Sequence, residues 1–151
     1  MVVGKYGKFL LMIAVSTLIM YGLMFLNIFS FAHVHISLTR IYMALMMGAA
    51  MAIIMLLFMW QMYSNKRKNG LILVISAFIF VGSLWMVRTQ TSVSDVAWLK
   101  AMIPHHSIAI LTSSQADLED PEVQKLADQI IATQKKEIKQ MEKIIDRLQK
   151  D

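Results

Sequence analysis

The residues best able to do chemistry sit in one short run, Met102-Ile103-Pro104-His105-His106. Met102 precedes His105 by three positions and His106 by four, so a helix would carry a thioether and two imidazoles on one face. A soft thioether beside borderline imidazole suits copper(I), and silver(I) by the same softness. Pro104 offers no N–H to the carbonyl of Lys100 and would bend such a helix, which alters where the two rings point. The same residues also read as plain packing, with Met102 in a core, His105 in solvent and His106 a hydrogen-bonded core histidine. Spacing alone leaves both readings open. Cysteine is absent while methionine supplies 14 of 151 residues, so soft-metal chemistry here has to run through thioether and imidazole.

Further along, Gln134, Glu137 and Met141 fall three and four apart on one helical face. Gln134 interrupts an apolar stripe of Leu126, Ile130, Ile138, Met141, Ile145 and Leu148, and a buried amide there needs a partner. His106 across a helical hairpin is the expected one, either as an imidazole oriented for a metal or as an ordinary inter-helix bond. His33 and His35 alternate around Val34 and would face one side of an extended segment, as a capture pair or as simple interface residues. Met43, Met46, Met47, Met51, Met55, Met59 and Met62 cover about half of a helix surface at about 100° per residue. They read as adaptable packing or as a thioether-lined path. On that same segment Ala44, Gly48 and Ala52 make a small-residue face that permits close helix approach.

The elements that would position these groups begin in the membrane. Phe9–Phe29, Ile41–Tyr63 and Leu71–Val87 are three uncharged apolar runs, set against about 20 residues needed to cross a hydrocarbon core. No Asp or Glu occurs before Asp95, and the basic residues of that part are Lys5, Lys8, Arg40, Lys66, Arg67, Lys68 and Arg88. The net charge of +5 therefore belongs to the flanks of the runs and suits an anionic lipid leaflet, not nucleic acid. Ser30-Phe31-Ala32 fits a signal-cleavage site, but the first apolar run exceeds the usual signal core of about 7–15 residues, so a retained anchor is expected. The positive-inside rule places the N-terminus and residues 64–70 in the cytoplasm, with the 30–40 loop and the C-terminal part outside a cytoplasmic membrane. All four histidines fall on that outer side.

Two domains follow from this: a three-helix transmembrane region over 1–90 and an extracytoplasmic helical hairpin over 91–151. The first hairpin helix is expected from Asp95 to about Ser114, capped by Ser92 or Ser94. The second opens at Asp120-Pro121-Glu122, an N-cap, a proline at the first helical position and an acid that the helix dipole favours, and runs to about Gln149. A hairpin of about 60 residues is near the lower limit for an independent core. It should pair with another copy, or with the outer ends of the spans, in a four-helix arrangement. Gly-rich phosphate loops and Ser or Cys nucleophile signatures are missing, and neither His105 nor His106 has a Glu three residues before it, so no enzyme is expected.

At Ala101-Met102-Ile103-Pro104-His105-His106-Ser107-Ile108-Ala109-Ile110 the chain resembles the family called "domain of unknown function 305". The likeness continues through Asp120-Pro121-Glu122-Val123, Leu126-Ala127, Ile130-Ile131, Gln134, Glu137-Ile138 and Met141, covering roughly 92–148. The preceding spans resemble its membrane-anchored branch. The resemblance implies a ferritin-like all-α fold and a copper(I) or silver(I) site built from Met102, His105, His106, Met141 and Glu137. Members with a longer, duplicated domain carry more Met and His, so a single short copy implies completion by homo-oligomerisation. The function expected is a membrane-anchored binder of soft metal ions that buffers metal or confers tolerance. The alternative is a non-metal interaction module that forms a membrane-anchored helical oligomer.

Overall fold

In the computed structural model, which describes residues 4–150, the described residues form α-helices and two single 3-10 turns, with no strand among them. The first three residues of the expected 1–90 region, and the last of 91–151, lie outside the described residues. The helices are α1 (Lys5–Leu23), α2 (Leu38–Phe58), α3 (Lys66–Thr89), α4 (Asp95–Gln115) and α5 (Pro121–Leu148). The chain divides into two units, one of residues up to Leu23 with Thr39–Ser92, the other of Met24–Leu38 with Val93 onward. The segment between α1 and α2 thus belongs with α4 and α5.

In the first unit, α1, α2 and α3 are each long and apolar enough to cross a bilayer. Their ends differ from the apolar runs because hydropathy reports solvent preference and not helix continuity. The run to Phe29 leaves the helix at Leu23, and the run to Tyr63 leaves it at Phe58 before a 3-10 turn over Trp60–Met62. By contrast α3 is longer than its apolar run. Asn65 caps it by accepting from the Lys68 N–H at 3.0 Å, so a polar first turn precedes Leu71. Gln90 ends it in the left-handed region at φ 53°, its N–H returned to the Met86 carbonyl.

The buried face of α2 is Arg40, Ala44, Gly48, Ala49, Ala52 and Leu56. The small-residue face is therefore the packed one, and a Cβ at Gly48 would run into the Thr17 side chain of α1. The methionines of α2 are not fully buried; Met55, and Met59 just beyond the helix, pack around a cluster of Phe9, Leu56 and Tyr63.

In the second unit α4 runs unbroken through Pro104. Ser94 caps it by accepting from the Ala97 N–H, and the Asp120 carboxylate accepts from the N–H groups of Glu122 and Val123 to start α5. Both helices face a shared core of Leu99, Ile103, Ile110, Ile138, Met141 and Ile145, with Met102, Ile131, Ile144 and Leu148 against it. The expected stripe of α5 holds from Ile138 to Leu148 and fails earlier. Leu126 is 55% exposed, and with Val123 and Ile130 it lines an open apolar groove of about 230 Å³ near the hairpin loop.

Candidate metal-binding segment on the hairpin

The core stripe of α4 advances by four and three residues, Leu99, Ile103, Ser107 and Ile110. That register turns His106 toward α5 and leaves His105 in solvent. The His106 side chain is 15% exposed. Its Nδ1 lies 2.9 Å from the main-chain carbonyl of Met102, one turn back. A carbonyl only accepts, so Nδ1 carries a proton and Nε2 is the nitrogen aimed away from α4. Nε2 stands 2.9 Å from Glu137 Oε2 on α5. A carboxylate oxygen accepts, so a bond at this contact takes its hydrogen from Nε2. The partner across the hairpin is thus Glu137, three residues beyond the expected Gln134.

The rings of His105 and His106 have centroids 6.3 Å apart at an interplanar angle of 69°. Met102 is half-buried against the hairpin core, and Met141 is buried within it. The five sequence-derived residues therefore share one region of the hairpin, with thioethers toward the core, His105 in solvent and His106–Glu137 between the helices. The donor types suit a soft monovalent ion, but a metal on His106 has to take the nitrogen that Glu137 now holds. Among the described residues, no group of three or more His, Asp or Glu side chains is placed to hold a metal.

Sequence reasoning missed Ser107. It is wholly buried, and its hydroxyl accepts the Phe29 N–H at 2.8 Å while lying 2.8 Å from His33 Nδ1. The hydroxyl keeps its hydrogen and a second lone pair, so it can bond Nδ1 in either tautomer of His33. The residues that follow are pinned to the same unit. Burial pushes the His35 pKa below its ordinary 6.5; Lys100 and His33 push the same way and Glu142 opposes them. Lys135 of α5 lies over the Phe29 ring at 5.8 Å. His33 closes a 3-10 turn over Phe31–His33, so the extended segment expected for the His33 and His35 pair begins only after it. Ser107 was discoverable as a polar residue in an apolar stripe, the reasoning applied to Gln134.

A model of the family described as "Domain of unknown function (DUF305)" matches residues 86–146. The chain is also 34% identical over 119 residues to "Uncharacterized protein L153" of Acanthamoeba polyphaga mimivirus, covering 78% of this chain and 76% of that protein. No solved structure matches the chain.

Proposed function

We propose that this chain, which belongs to the domain of unknown function 305 family, is a membrane-anchored binding protein for copper(I) or silver(I) rather than an enzyme. α1, α2 and α3 cross a cytoplasmic membrane with the N-terminus inside, and the α4–α5 hairpin stands outside, where it buffers or hands over metal. The ion is cargo, bound by His105 and His106 with Met102 from the same helix and Met141 from α5. Oligomerisation brings hairpins together in a ferritin-like four-helix arrangement.

The observation that carries this reading is the orientation of the His106 ring. The Met102 carbonyl engages Nδ1, so Nε2 is the nitrogen turned toward a metal, beside an exposed second imidazole and within a turn of a thioether. Glu137 Oε2 lies 2.9 Å from that nitrogen and has to give way to a metal bound there. Silver(I) titration of the purified full chain against His105→Ala/His106→Ala tests it. The wild type binds and the double variant loses the site; equal stoichiometry and affinity in the two would sink the assignment.

One observation favours a second reading, an interaction module without metal: both nitrogens of His106 already have partners. On that reading His106–Glu137 locks the hairpin for assembly. The oligomer then survives chelator in detergent and dissociates in Glu137→Ala, whatever silver(I) does.

A further inference from the structure

Two basic groups far apart in sequence meet at one end of the first unit. Tyr6 lies between Lys5 and Lys8 at the start of α1. Its hydroxyl donates to Asn69 Oδ1 at 2.7 Å and accepts from the Asn65 N–H at 3.1 Å. Those two asparagines bracket Lys66, Arg67 and Lys68, the first residues of α3. Asn69 is wholly buried, its Nδ2 donating to the Tyr63 carbonyl at 2.8 Å. The Tyr6 ring packs on Tyr63 at 5.1 Å, and the Lys68 ammonium lies 5.3 Å from the Tyr6 centroid. A buried, satisfied network therefore fixes the α1 start against the α3 start, so five exposed cations share one rim.

Nothing in this unit neutralises them, because no Asp or Glu occurs before Asp95. Four lysines and an arginine at two helix starts tied together by a tyrosine, in helices long and apolar enough to cross a bilayer, match one kind of partner. We infer that Lys5, Lys8, Lys66, Arg67 and Lys68, joined through Tyr6, form a binding site for the headgroup phosphate of anionic lipid. This rests on the reading that α1, α2 and α3 span a bilayer. Each basic side chain near an anionic surface contributes about fivefold in affinity, equivalent to about 1 kcal/mol. The clustering makes the site selective, where scattered flanking charges only orient a chain.

The test is retention of phosphatidylglycerol against phosphatidylcholine by the full chain in detergent, counted by native mass spectrometry. The wild type is expected to retain phosphatidylglycerol preferentially, and Lys66→Gln/Arg67→Gln/Lys68→Gln to lose about tenfold or more of that preference. Tyr6→Phe keeps every charge and is expected to weaken it; Lys5→Gln/Lys8→Gln does so without touching the network. Arg88→Gln, a cation at the other end of α3, should behave as wild type. Equal retention by wild type and the triple variant overturns the site, as does an equal loss in Arg88→Gln. No effect of Tyr6→Phe overturns its joining through Tyr6. Displacement of the lipid by millimolar inorganic phosphate would reassign it to free phosphate. Wild-type chain in the soluble fraction of lysed cells would instead overturn the membrane reading beneath it.

Discussion

His106 Nε2 stands 2.9 Å from Glu137 Oε2, tying α4 to α5 through a pair whose carboxylate end is 46% exposed. Solvent screens such a pair, so its coupling should be about 0.5–1 kcal/mol. A double-mutant cycle of His106→Ala and Glu137→Ala, read by thermal unfolding in detergent, should return that value. Coupling near zero would mean that apolar packing alone holds the hairpin.

The same contact sets an expectation for metal. If Glu137 competes for Nε2, Glu137→Gln weakens the competitor, and silver(I) affinity should rise about two- to fivefold. Met141→Leu keeps the volume of a core position, so stability should fall by less than about 1.5 kcal/mol. A drop in silver(I) affinity in that variant identifies the Met141 thioether as a ligand; calorimetric titration reads both.

The sequence made the helix starts legible because caps are local chemistry. Ser94, and Asp120 before Pro121, begin α4 and α5 where their side chains accept main-chain N–H groups. Uniform apolarity marked the three long helices, yet it overran α1 by the residues to Phe29. Those residues join the other unit, where the Phe29 N–H meets Ser107. Glu137 was seen on the right face, but Gln134 was expected to meet His106. Positions three apart share a face, and only the axial offset of two helices decides between them. Leu126 was expected in the core and is exposed, in an open groove where α4 sets only Thr112 and Ser113 against it.

Ser107→Ala tests the link between α4 and the segment before α2. The variant strands the Phe29 N–H and takes the hydroxyl from His33 Nδ1, a cost of about 1–3 kcal/mol when such groups are buried. Amide hydrogen exchange should quicken over residues 28–35, while exchange in α1 stays unchanged.

Gly48 faces the Thr17 side chain with no room for a Cβ. Gly48→Leu should destabilise the first unit by about 1–3 kcal/mol, as overpacking does. Thr17→Ala should recover part of the smaller loss caused by Gly48→Ala, since the clash is with that one side chain. Thermal unfolding in detergent measures both, and the absence of recovery would place the strain elsewhere.

His35 gives the second unit a pH dependence of defined sign. Its folded pKa lies below 6.5, through burial first and the Lys100 and His33 charges next, against the pull of Glu142. The unfolded chain therefore takes up the proton first as pH falls. Stability from keeping His35 neutral is fully present above about pH 6.5, and is lost as pH falls from there through the folded pKa. Unfolding at pH 7.5 and at pH 5.5 should show the acid loss in wild type and a smaller one in His35→Gln, which cannot titrate. Lys100→Gln removes a charge that opposes protonation, so the folded pKa should move back toward 6.5 and the acid loss should shrink. A loss unchanged in both variants would overturn the assignment of the titration to His35.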